Sequence, residues 1–282
     1  MRSRFTKGIS SVLKAPLRVM LSCAPIRRRL VFEIARKYYD DLDIVVPLPG
    51  GIQCPMVSEQ HWVSFDNIFC EGEYDSLLGN IPLPKTWLDL GCHAGHFTLL
   101  LASLWARQKV SPSWRALLID ADSRSKEVIK KISLLNHFDS QQISFLHGAI
   151  SEETTEVLFC ENVHMTSEIA PKTSREFYGH RVACIREDDI RNQMPPPYDL
   201  VKVDIEGAEY DFLKSYTGIL SQAGYLIFEW HSWHRGGAGR EQLVGMAERS
   251  GFRVLRECHA DRVIQRNGQP ERCGTMLMEN IG

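Results

Sequence analysis

Acidic residues gather at the ends of apolar runs in this chain. Asp89 lies in the run 87–90, two positions before Gly91, and Asp120 closes the run 116–120. Asp204, Glu206 and Glu209 follow the run 198–203, while Glu229 and His231 stand at the end of 225–230. Carboxylates so placed can accept hydroxyls, hold a cation or take up a proton. Three within six residues (204, 206, 209) are costly together unless they bind something, although the positive end of a following helix offsets part of that cost. The stretch 87–98, WLDLGCHAGHFT, adds glycines: Gly91 turns the chain sharply, and Gly95 lets backbone approach a ligand. The spacing is G-x-x-x-G, not the G-x-G-x-x-G of dinucleotide binders. With Asp89 just ahead, the turn suits a cationic group such as an amino-acid ammonium better than a pyrophosphate. That pattern points to S-adenosylmethionine (SAM).

These residues need strands to carry them and helices to back the strands. Residues 87–90, 116–120, 143–146, 198–204 and 225–230 read as buried parallel strands. Helices are expected over 97–106, 123–136 with Ser123 as the cap, 207–216 and 240–250. Strand–helix alternation at this spacing predicts a doubly wound, mostly parallel α/β sheet. Residues 252–257 and 275–278 close the chain as a hairpin-like pair, placing one antiparallel strand in that sheet. Residues 155–159 and 181–185 are strand-like, with a long polar loop or insertion over 161–179. Before the core, 44–46 and 62–65 are short strand candidates, and a helix begins at 72–74 and runs to 78. In such sheets ligands bind at the carboxyl ends of the strands. Asp120 there can accept both ribose hydroxyls, or can serve as an acid at a helix start; Asp122 is the lesser candidate. The run 147–150, HGAI, is small and apolar enough to flank an adenine.

The chain of 282 residues, 44% hydrophobic and 24% charged, has ordinary globular composition. Its net charge of −2 hides an asymmetry: residues 1–39 carry ten Lys/Arg against Glu33 alone, a local +9 that leaves −11 for residues 40–282. The acidic body argues against broad nucleic-acid binding. The basic arm reads as two amphipathic helical pieces broken at Pro16, either contacting an anionic membrane face peripherally or packing as a cap or dimer contact. The sequence has no run of 18 apolar residues that would read as a membrane span. Eight cysteines without a C-x-x-C pair read as reduced, buried residues of a cytoplasmic protein.

The run 198–213, YDLVKVDIEGAEYDFL, closely resembles the signature of the FkbM family of SAM-dependent methyltransferases. DLGCHAGHFT is similar to that family's D-x-G-A-N-x-G-x-F, LLIDADSRS to its strand ending in an acid, and HGAIS to its A-x-S. The resemblance covers roughly 70–235. It implies a seven-stranded, Rossmann-like class I methyltransferase sheet, here with a basic N-terminal extension over 1–60 and a methyltransferase domain over 61–282. It implies methyl transfer from SAM, usually to a hydroxyl of a sugar or other small metabolite. Carried over, Asp89, Gly91 and Gly95 would hold the methionine part, Asp120 the ribose and Ala149 the adenine edge, with Phe97 and Ala121 as further cofactor contacts, His93 either contacting SAM or capping the helix, and Asp204 and Glu206 lining the transfer cleft. Cys92 and His93 stand where the family has Ala and Asn. His231 is the expected general base, with Asp204 second; the alternative is a solvated loop histidine. His231 and His234 beside Glu229 would admit a divalent ion, but no third firm ligand appears and no metal is expected. RNA- or protein-directed methylation and a SAM-binding module without catalysis are the alternative functions.

Overall fold

The computed structural model describes residues 29–30, 33–34, 37, 44–108, 113–153, 155–160, 168–169, 179–232, 239–266 and 269–282. Its centre is built from strands too apolar to face water on either side: β3 (Thr86–Leu90), β4 (Arg115–Asp120), β9 (Tyr198–Val203) and β10 (Ala223–His231). With β5 (Ile143–His147), β11 (Phe252–Arg266) and β12 (Gln269–Asn280) they form a seven-stranded sheet in the order β11-β12-β10-β9-β3-β4-β5. β12 runs antiparallel to both of its neighbours, as the closing pair in sequence predicts. Pairing through β10, β9, β3, β4 and β5 is parallel.

The two-residue period of the strands divides the core into two layers. Trp87, Leu118, Leu200, Ile227 and Leu277 pack with α1 (Glu59–Phe65), α3 (His96–Arg107) and α4 (Arg124–Asn136). Leu88, Leu117, Val201, Phe228 and Met276 face the other way, toward α5 (Glu187–Gln193), α6 (Glu209–Ser215), α7 (Thr217–Leu220) and α8 (Arg240–Arg249). Asp89 and Lys202 are direct partners across β3 and β9, on the Trp87 side.

Several local expectations change. Residues 62–65 are helical, not a strand: Ser58 caps α1 by accepting the His61 N–H, and Trp62 and Phe65 turn inward. An N-cap of this kind is worth about 1 kcal/mol, enough to decide a short ambiguous segment. β1 (Val45–Pro47) pairs instead with β2 (Gln53–Pro55). The helix expected from 72 begins at α2 (Asp75–Leu78). Ser123 stands at the α4 cap position without a side-chain bond, and Asp122 Oδ1 accepts the Arg124 N–H at 2.9 Å. The closing strands are far longer than expected because they extend each other, pairing from Phe252↔Asn280 to Arg266↔Gln269. The strands near 155 and 181 leave the main sheet. β6 (Glu156–Cys160), β7 (Glu168–Ile169) and β8 (His180–Ala183) form an antiparallel sheet, beside which Ala149 bridges Cys184. Of the cysteines, Cys70 is exposed, contrary to expectation, whereas Cys54, Cys92, Cys160, Cys184 and Cys273 are buried.

Leu48, Ile52, Cys54 and Met56 share one core with Trp87 and Phe97. The amphipathic reading of 1–39 lies outside the described residues, apart from helical Arg29, Leu30, Glu33, Ile34 and Lys37. Leu30 and Ile34, expected on one stripe, are exposed. No helix among the described residues is long and apolar enough to cross a membrane.

Candidate functional site

β3, β4, β9 and β10 deliver their carboxyl ends to one edge of the sheet, where two groups of side chains lie side by side. The first surrounds the glycine turn. Gly91 has φ 71°, and a Cβ there would lie 1.7 Å from the Asp204 carbonyl oxygen. Glycine is thus required where the turn touches the backbone after β9. Gly95 (φ 68°) has a neighbour other than a ligand: its Cβ would meet Ile129 Cδ1 at 2.7 Å, so glycine seats α3 against α4. Between them His93 adopts φ 48°, a left-handed conformation uncommon outside glycine.

The acids around this turn are engaged. Asp120 Oδ2 accepts the His93 N–H at 2.6 Å and Oδ1 accepts the Asp122 N–H at 2.8 Å. Burial outweighs these bonds and pushes its pKa up to about 6. Asp89 is fully buried; Oδ2 accepts the Thr98 hydroxyl at 2.9 Å and Oδ1 lies 3.5 Å from Lys202 Nζ. Its cationic partner in the structure is therefore Lys202. That ammonium donates to the Gly91 carbonyl at 3.0 Å and lies 3.1 Å from Asp204 Oδ2. Burial favours the neutral amine, but Asp204 and Asp89 overcome this and hold Lys202 charged.

Other expected cofactor residues are placed less directly. Phe97 is buried against Tyr74, with ring centroids 4.9 Å apart. Ala121 accepts a His147 Nε2 hydrogen bond at 3.0 Å, and Ala149 is buried against Val157 and Val182. Beside the turn, a groove of about 960 Å³ runs between α1 and α4, lined by His61, His93, Asp122, Arg124 and Lys130 among others. Burial is the main reason that His61 falls to about 3 and His93 to about 4, so both are neutral at pH 7.

The second group sits at the ends of β9 and β10. Glu206 has φ 52°, which costs of order 1–3 kcal/mol and holds the loop in an unusual shape. Glu209, fully buried at the start of α6, accepts the Ile205 N–H at 3.1 Å and the Gly207 N–H at 3.0 Å. The same carboxylate meets His231 Nδ1 at 2.9 Å, while His231 Nε2 lies 3.8 Å from Glu229 Oε1. Asp204, Glu206 and His231 do face one cleft: one ligating atom from each lies within 4.8 Å of the others.

Electrostatics bears on the role expected of His231. The ring is 2% exposed, so it is no solvated loop residue. Burial alone would lower its pKa, but Glu209, then Glu206 and Glu229, lift it to about 10. The main source of the rise is Glu209. A ring held charged must lose its proton before it can act as a base. Glu229 has the opposite environment: burial, reinforced by Asp204, Glu73 and Glu206, drives its carboxyl well above the usual range. His234 and most of the loop after β10 lie outside the described residues.

Sequence reasoning missed three participants. Lys202 carried a signal, a lone lysine inside the otherwise apolar VKV of β9. Glu209 was counted as a carboxylate without a role, because its partner His231 lies 22 positions on. Tyr74, packed on Phe97 and near the acids of both groups, carried no signal.

A seven-stranded sheet in this order, with a glycine turn after its central strand and a cleft at the strand ends, is the class I methyltransferase fold. The family described as Methyltransferase FkbM domain matches residues 89–256, and the chain belongs to this methyltransferase family. It is similar to a transmembrane O-methyltransferase homolog from Rattus norvegicus, at 35% identity over 116 residues, 37% of this chain and 41% of that protein. The match thus spans less than half of that relative. Among solved structures it is similar to the methyltransferase FkbM of Methylobacillus flagellatus KT, at 13% identity and TM-score 0.44, covering 91% of this chain and 60% of that one. The magnesium protoporphyrin IX methyltransferase of Synechocystis PCC 6803, solved with bound SAM, gives 13% identity and TM-score 0.44 over 87% of this chain and 96% of that one.

Proposed function

We propose that the chain transfers a methyl group from SAM to a hydroxyl oxygen of a sugar or other small metabolite. The observation that carries this reading is the juxtaposition of Asp204, Glu206 and His231 with the glycine turn, whose Gly91 packs directly on Asp204. The residues fit a cationic cofactor. Carboxylates outnumber cationic side chains around the strand ends, and at the turn His93 Nδ1 is buried with no hydrogen-bond partner among the described residues. When bound, SAM supplies an electrophilic methyl on a sulfonium that is already a good leaving group.

The chain's own part is to bind, align and move one proton. Asp120 holds two backbone N–H groups, and its remaining lone pairs would accept the ribose hydroxyls. Asp89 and Lys202 fix the floor of the turn; Phe97 backs it against Tyr74, and Ala121 and Ala149 would lie on the adenosine side. Asp204 and Glu206 line the transfer cleft, where alignment of the reacting atoms can supply about 7–11 kcal/mol. His231, clamped by Glu209, faces the acceptor and orients it. Glu229, as its carboxylate, accepts the hydroxyl proton. A base so placed is typically worth about 10²–10⁴-fold. The similarity to an O-methyltransferase homolog from rat supports oxygen over nitrogen as the target.

The test is transfer from methyl-labelled SAM by the purified chain to a panel of sugars, hydroxylated metabolites, peptides and RNA. Label recovered as an O-methyl group on a small acceptor is the expected result. Label found only on nitrogen, or only on RNA or peptide, would overturn the reading.

A further inference from the structure

We propose that Asp204, Glu206 and His231 form a binding site for one divalent transition-metal ion, at which the acceptor hydroxyl is also held. The argument begins with donor types. Two carboxylate oxygens and an imidazole nitrogen are a set that suits Mn²⁺, Fe²⁺, Co²⁺ or Zn²⁺, whereas Ca²⁺ and Mg²⁺ prefer oxygen alone. The donors come from the loop after β9 and from the end of β10, and they already lie within 4.8 Å of one another. Around an ion with bonds of about 2.1 Å they would sit roughly 3 Å apart. Rotation of the half-buried Asp204 and Glu206 side chains closes that gap, and the histidine need not move.

Independent support comes from outside the three ligands. Ligating histidines almost always give their second ring nitrogen to a carboxylate or carbonyl, which fixes the ring. Glu209 does this for His231: it is fully buried, meets Nδ1 at 2.9 Å, and is itself held by the Ile205 and Gly207 N–H groups. The clamp directs Nε2 toward the carboxylate side of the cleft, where Glu229 Oε1 lies 3.8 Å away; a bound ion displaces the Nε2 proton to solvent, so the ring is neutral in the filled site. A ring needed only to fill space would not call for a buried carboxylate anchored at two backbone amides.

Three protein ligands leave coordination positions open. An acceptor hydroxyl in one of them loses its proton to Glu229, which stands beside it. An oxygen lone pair then forms the C–O bond to the methyl carbon as the C–S bond breaks, and the released pair remains on sulfur as a neutral thioether. This role in transfer rests on the function proposed above, but the binding of the ion does not.

The experiment uses the full chain, stripped with a chelator, dialysed and titrated with Mn²⁺, with free ion followed by electron paramagnetic resonance. One equivalent should bind, and pulsed spectra of the bound ion should carry a nitrogen coupling from His231. His231→Gln should abolish the nitrogen coupling, the Asp204→Asn/Glu206→Gln pair should remove binding, and Glu209→Gln should weaken it about 10–100-fold. No uptake by the unaltered chain at millimolar Mn²⁺, or uptake without nitrogen coupling, would overturn the site. Neither of these readouts needs a variant to fold. Nitrogen-coupled Mn²⁺ on a protein that methylates no hydroxyl would leave the site standing and refute the proposed reaction.

Discussion

The glycine turn and the acidic cleft are adjacent, yet they treat charge in opposite ways. At the turn, Asp89 meets Thr98 and Lys202, Asp120 meets two backbone amides, and Asp122 meets Arg124. In the cleft, Glu206, Glu209 and Glu229 crowd a single histidine and raise its pKa to about 10, while the Glu229 carboxyl is itself driven upward. The first arrangement is a rigid cradle whose charges are spent on holding backbone. The second keeps ionisable groups in tension, as sites of chemistry do. The difference teaches that the same residue type, a carboxylate at a strand end, serves structure or reaction according to what its neighbours donate.

Substitutions in the two regions should therefore fail differently. The largest effect is expected at Gly91. Gly91→Val drives a side chain into the Asp204 carbonyl and should cost about 4 kcal/mol or more, read as lost folding in denaturant titration. A folded variant with an unchanged midpoint would show that the turn and the β9 end are not in contact. Lys202→Met should come next, at about 3–5 kcal/mol, because it leaves Asp89 and Asp204 facing each other without their shared cation. Equal stability of variant and parent in the same titration would remove Lys202 from the cradle.

Asp120→Ala should weaken SAM by about 1–3 kcal/mol, since the ribose hydroxyls lose an acceptor and the His93 N–H loses its own. Calorimetry giving parental affinity in the folded variant would cancel the ribose assignment. The gentlest effect is a pH dependence in the cleft. The folded pKa of His231, about 10, lies above its ordinary value of 6.5. Its contribution to stability is thus complete below about pH 6.5 and is lost as pH rises through 10. Melting temperature should decline across that window, and less steeply in His231→Gln. Parallel curves for variant and parent would mean that the ring is not held charged.

Much of this was legible in sequence because buried parallel strands declare themselves. The runs ending at Leu90, Asp120, Val203 and His231 are apolar on both faces, and the glycine turn follows the first at once. What stayed hidden was settled by long-range or competing contacts. Residues 62–65 alternate like a strand, yet the Ser58 cap made them helix. The later part of β11 is rich in charge and reads as loop; it is extended because β12 pairs with it. The site residues were found as carboxylates, but not their allegiances. Nothing local says that Glu209 belongs to His231 or that Lys202, rather than a ligand, answers Asp89.

The Asp89–Lys202 pairing also bears on how the molecule assembles. β3, β4 and β5 are consecutive and could zip into half a sheet as soon as they exist. Asp89 would then sit in an apolar layer without its counter-ion, which arrives 113 positions later in the chain. A half-sheet carrying an uncompensated interior carboxylate is penalised by several kcal/mol, so that intermediate is kept sparse until β9 docks. One lysine in the central seam thus couples the two halves of the chain into a single cooperative transition.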